Sequence, residues 1–152
     1  MLAIDRGSRM LYQLSPNLYE IRVFTLNGDP IRTIVPPVNY LTRPPNIEHD
    51  PSGGIGIGPS DTLDDIAVLP DGSITVSGGL VENSAPQGSQ MGAGASYSRF
   101  LDTYDASGKF QRRIPQSELT LEGTPFRGID HHTGRAYFGK GNVGLEATLG
   151  TR

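Results

Sequence analysis

The chain has 152 residues, enough for one domain with a core of its own and short for two. Twenty Gly and twelve Pro, against three Met and no Trp or Cys, describe many turns and little helix, and the missing thiols exclude disulfides, thiolate metal sites and a cysteine nucleophile. The formal charge is −3 and the thirteen Lys and Arg are scattered singly or in pairs, so no basic stripe for nucleic acid is present, and no apolar run reaches the roughly 18 residues of a membrane span.

Short apolar runs separated by turn signals open the chain: Leu2 to Ile4, Met10 to Leu14, Glu20 to Leu26 and Ile31 to Val35. Each has the length of a strand. Asn27-Gly28 between the last two is the dipeptide best suited to a two-residue hairpin, whose central positions both need positive φ. Residues 1–35 are therefore expected to form one four-stranded antiparallel unit, and residues 36–63 an insertion.

The same grammar returns over residues 64–115. Asp65 to Leu69, the turn Pro70-Asp71-Gly72 and Ser73 to Ser77 make one hairpin; Ser98 to Asp105, the turn Ser107-Gly108 and Lys109 to Ile114 make another. Shifting the chain by 80 residues lays Ile21 on Leu101, Phe24 on Tyr104, Gly28 on Gly108, Arg32 on Arg112 and Ile34 on Ile114. Repetition of this kind is the signature of stacked structural units. A third copy begins near residue 126: Gly128-Ile129-Asp130 matches Ala3-Ile4-Asp5, the turn His132-Thr133-Gly134 follows, and Arg135 to Phe138 supplies a second strand. No third or fourth strand is recognisable after it, and residues 139–152 are expected to be a poorly ordered tail.

Gly56-Ile57-Gly58-Pro59-Ser60, Asp65-Ile66-Ala67-Val68, Pro70-Asp71-Gly72 and Ile74-Thr75-Val76 resemble the NHL repeat. Arg22-Val23-Phe24 to Ile34 and Arg99-Phe100 to Ile114 resemble its other half. The resemblance covers most of residues 1–138 and implies blades of a six-bladed β-propeller of the NHL or TolB-like kind. It departs at Thr25 and Thr75, where an acidic and an aromatic residue are more usual, and in length, since about two and a half blades leave an incomplete propeller. The expected fold is all-β, with four-stranded antiparallel blades. The missing blades are expected from a longer chain or from self-association.

In such a blade the first-to-second and third-to-fourth turns share one end. The glycine turns at Gly7, Gly28, Gly72, Gly108 and Gly134 trim that end short. Both long insertions, Pro36 to Leu63 and Gly78 to Tyr97, belong to the opposite end, which is the expected binding face. It carries Tyr40, Arg43, Asn46, Glu48, His49, Asp50, Asp61 and Asp64 from the first insertion, and Glu82, Asn83, Gln87, Gln90 and Tyr97 from the second. The expected partner is a peptide, a protein or a glycan.

Glu48, Asp50, Asp61 and Asp64 are also candidate ligands for a hard divalent cation such as Ca²⁺, and the resemblance implies an alternative of that kind: a metal-dependent, lactonase-like hydrolase. Asp50 before Pro51, and Asp64 near a strand, equally suit turn initiation. A truncated piece without independent function is a further alternative. Adjacent His131 and His132 point to opposite faces of an extended chain and do not converge on one ion. Gly53 to Gly58 lacks phosphate-loop spacing and reads as a flexible lead into the second unit, and Ser96 lacks the glycines of a nucleophile elbow. Pro36-Pro37 and Pro44-Pro45 stiffen the insertion. No export signal is expected for the chain, which reads as soluble; its compartment stays open, periplasmic and secreted locations for a longer protein included.

Overall fold

A computed structural model describes residues 1–15, 18–37, 41, 44, 47–49, 53–83, 96–115, 117–121, 124–130, 135–140 and 143–148. These residues form an all-β protein with no helix among them. The first sheet is a meander of β1 (Leu2–Asp5), β2 (Met10–Ser15), β3 (Glu20–Thr25) and β4 (Pro30–Ile34). A small hairpin, β5 (Ile47–His49) with β6 (Ile55–Ile57), follows. The second sheet is β7 (Thr62–Val68), β8 (Ile74–Asn83), β9 (Ser96–Tyr104) and β10 (Phe110–Pro115). The third is β11 (Thr120–Leu121), β12 (Thr124–Ile129), β13 (Arg135–Lys140) and β14 (Val143–Thr148). All three are four-stranded and antiparallel, as blades of an incomplete propeller.

Alternation along the strands sorts side chains onto two faces of each sheet. In the first sheet Ala3, Tyr12, Leu14, Ile21, Val23 and Ile34 share the face that packs against Ile66, Val68, Ile74, Val76, Phe100 and Tyr104 of the second. The opposite face of the second sheet sends Leu101 and Ile114 against Leu119 and Ile129, which joins it to the third. The second sheet is thus sandwiched between the other two, and its inner strands are apolar on both sides because both sides are covered.

Four sequence expectations are corrected. The tail is not featureless: β14 pairs along its whole length with β13, from Arg135 opposite Thr148 to Lys140 opposite Val143, a strand whose Gly144 hid its pattern. Residues 55–57 are a strand of the β5–β6 hairpin and not merely a flexible lead. The insertion of the second unit begins and ends as strand, since β8 and β9 stay paired out to Asn83 and Ser96. Finally, the turn at Asn27-Gly28 is a three-residue loop. Gly28 N–H donates to the Thr25 carbonyl and Thr25 N–H to the Asp29 carbonyl, and of the loop residues only Gly28 has positive φ, at 92°. This is a type I turn closed by a left-handed residue, which fits the twist of a hairpin as well as the primed two-residue turns do. The Leu69–Ser73 and Asp105–Lys109 turns repeat it, with Gly72 at 81° and Gly108 at 85°.

Aspartates fasten two of these turns. Asp71 accepts from the backbone N–H and hydroxyl of Ser73, and Asp105 from the N–H groups of Ser107 and Lys109. Both carboxyls are held below their ordinary value, in each case first by the serine hydroxyl. His132 to Gly134, expected to form the corresponding turn of the third unit, lies outside the described residues.

Candidate functional site

Antiparallel order settles which segments share an end. The turns after β1, β3, β7, β9 and β12 lie at one end, all of them short; the 35–61 connection, the β8–β9 connection and the β13–β14 turn lie at the other. A direct tie joins the two insertions there. Asp61, just ahead of β7 and buried, accepts the backbone N–H of Val81 on β8 at 2.8 Å. One oxygen of Asp61 thereby satisfies a donor that the irregular chain would otherwise leave buried without a partner.

The described residues of these connections and the strand ends beside them are mixed in character. Tyr97, opposite Val81 on the β8–β9 ribbon, is 37% exposed. Arg99 pairs with Asp64 across the sheet, both partly exposed. The β5–β6 hairpin exposes His49 and leaves two isoleucines in solvent, Ile47 at 71% and Ile55 at 69%. Glu82 is exposed on β8, Asn83 stands opposite Ser96, and Glu48 sits mid-strand on β5 opposite Gly56. Tyr40, Arg43, Asn46, Asp50, Gln87, Gln90, His131 and His132 lie outside the described residues.

Of the four candidate metal ligands, Asp61 is thus bonded to backbone and Asp64 to a guanidinium. Among the described residues no three carboxylate or imidazole side chains converge as a metal centre would need. The cleft between the second and third sheets, lined by Asp65, Thr75, Ser77, Leu101 and Ile129, has a volume of about 10 Å³. That is room for about one water molecule. The Thr75 hydroxyl is buried in it and has no hydrogen-bond partner among the described residues. Among the described residues no helix is long and apolar enough to cross a membrane.

The most elaborate polar arrangement was not anticipated from the sequence, and it is structural. Asp102, fully buried on β9, accepts two hydrogen bonds from Arg113, at 2.7 and 2.8 Å, and a third from the Tyr19 hydroxyl of the first sheet; Tyr104 donates to the Tyr19 oxygen at 3.1 Å. Arg113 also lies over the Phe100 ring, 3.8 Å from its centre. Burial first, then the neighbouring carboxylate, pushes the Tyr19 phenol far above its ordinary value. Burial disfavours the charged Arg113 guanidinium, but the Asp102 carboxylate more than offsets it and holds the group above its ordinary value. Tyr19 reaches this network from a backbone with φ of 42°, a left-handed conformation unusual for an aromatic residue and held in place by these contacts. The visible signal was a lone Asp inside the apolar run Phe100-Leu101-Asp102, facing Arg113 at hairpin spacing.

The chain matches no family model, and no curated protein or solved structure matches it either.

Proposed function

We propose that the chain is part of a noncatalytic binding or scaffold propeller of the NHL or TolB-like kind, engaging a peptide, protein or glycan through the end that carries its two long insertions. The observation that supports this reading most is the Asp61–Val81 hydrogen bond, which holds the end of one insertion beside the start of the other. Ile47, Ile55 and Tyr97 are exposed, and so are His49 and the Arg99–Asp64 pair, side chains of the apolar, aromatic and charged kinds that recognition surfaces use. The remaining expected residues of this face, Tyr40, Arg43, Glu48 and Asp50, belong to the proposal on their place in the chain alone.

Labelled chain applied to peptide and glycan arrays tests it. Ligands retained by the wild type are expected to be lost in Tyr97→Ala, and in a variant whose residues 84–95 are replaced by a short turn, while both variants melt within a few degrees of the parent. Ligands held equally by both variants, or none above background on either array, would sink the reading.

A further inference from the structure

Strand register allows the first and second sheets to be compared position by position. Val23 of β3 and Thr103 of β9 stand 80 residues apart, the offset of the repeat, and each lies opposite one residue of the strand before it: Tyr12 in the first sheet and Thr75 in the second. Ala3 is opposite Tyr12 as Ala67 is opposite Thr75, so that Ile4 and Val68, the next residues, correspond as well. Two residues further along the same face, Leu14 opposite Ile21 corresponds to Ser77 opposite Leu101.

The corresponding positions are filled very differently. In the first sheet this face packs toward the second, with Tyr12 and Leu14 at 3% and 1% exposure in the shared core. In the second sheet it turns toward the third, where Leu101 meets Ile129, and the counterparts of the Tyr12 ring and the branched Leu14 side chain are two short hydroxyl side chains. At that spot lies the cleft of about 10 Å³. Thr75 is 2% exposed, and its hydroxyl has no hydrogen-bond partner among the described residues, a costly way to bury a polar group. Asp65, directly opposite Ser77, brings a carboxylate to the same cleft, where its Oδ1 also accepts the Ile66 N–H at 2.9 Å.

We infer that this cleft is a binding site for one ordered water molecule, held by Thr75, Ser77 and Asp65 and enclosed by Leu101 and Ile129. The Thr75 hydroxyl donates to the water oxygen, and the two water hydrogens go to the Ser77 hydroxyl oxygen and the Asp65 carboxylate. Buried waters typically make about three such bonds, and the volume admits about one molecule of that size. A cation of the Ca²⁺ type takes about six to eight oxygen ligands, more than one carboxylate and two hydroxyls supply. An apolar guest would leave the Thr75 hydroxyl unpaired. The site is independent of the proposed binding surface, since none of these residues belongs to either insertion.

Crystals of the wild-type chain are expected to show one water-like density peak in the cleft, at hydrogen-bond distance from Thr75 Oγ1 and from Ser77 or Asp65. Thr75→Val keeps the shape of the side chain and removes only the hydroxyl, so the variant keeps the β-sheet circular dichroism spectrum of the parent. With the water bound, this change lowers the melting temperature by about 2–4 °C. Ser77→Ala added to it lowers the melting temperature by less than the sum of the two single losses, because both remove support from the same water. Without the water the sign reverses, since Thr75→Val would then relieve an unpaired buried hydroxyl. A melting temperature of Thr75→Val that is unchanged or raised overturns the inference. So do additive losses in the double variant, or a wild-type density map in which the cleft is empty or holds a metal ion.

Discussion

The first and second sheets carry the same four-strand pattern, and yet one wears its apolar residues inside on both faces and the other on one face only. Val68 and Ile4 occupy equivalent positions at the end of a first strand; the former is buried in the core that the two sheets share, the latter stands in water. What distinguishes them is not propensity or pattern but the presence of a sheet alongside. A blade is therefore a unit that cannot complete its own core, and its stability is shared with whatever lies beside it.

The hardest blow to that sharing is predicted at Asp102. Asp102→Ala would leave Arg113 and the Tyr19 hydroxyl facing each other in a buried site with no acceptor between them, at a cost of about 3–5 kcal/mol. Urea denaturation measures it; a cost below about 1 kcal/mol would mean that the Asp102 network adds little to the other contacts between the first two sheets. The comparison of faces is then sharpened by a matched pair. Ile66→Ala should cost about 2–5 kcal/mol through the cavity it opens, whereas Ile4→Ala should cost about 0.5 kcal/mol or less. Equal costs would show that the two faces are equally covered.

The smallest effects lie in the turns, where the two sheets also differ. Gly28 and Gly108 both have positive φ, but a side chain at Gly28 meets open space while one at Gly108 would come within 2.6 Å of Ile34 of the first sheet. Gly28→Val should cost about 1 kcal/mol, from backbone strain. Gly108→Val should exceed it by about 1–3 kcal/mol of overpacking. Melting curves of the two variants side by side decide this, and coincident curves would mean that the Asp105–Lys109 turn does not sit against Ile34.

Much of this was legible beforehand, because the signals were local. Strand positions follow from alternating apolar residues, hairpins from Asn27-Gly28, Pro70-Asp71-Gly72 and Ser107-Gly108, and the repeat from their spacing, all properties of a few neighbouring residues. Even so, the Asn27-Gly28 loop took a three-residue form, since two turn geometries compete for the same dipeptide. The β14 strand was hidden because Gly144 contributes no side chain to the alternation, and β5 and β6 because three residues are too few to show a period.

By itself the sequence determined that the chain is all-β, built from repeated four-stranded units with their short turns at one end. Only the tertiary structure decided what each carboxylate does: Asp61 holds a backbone donor across twenty residues, Asp64 an arginine, and Asp102 an arginine and a tyrosine from another sheet. Local pattern is written in residues that touch along the strand, whereas the partner of a buried charge is chosen by how sheets stack, and stacking brings together Tyr19 and Asp102, which no window of the sequence contains.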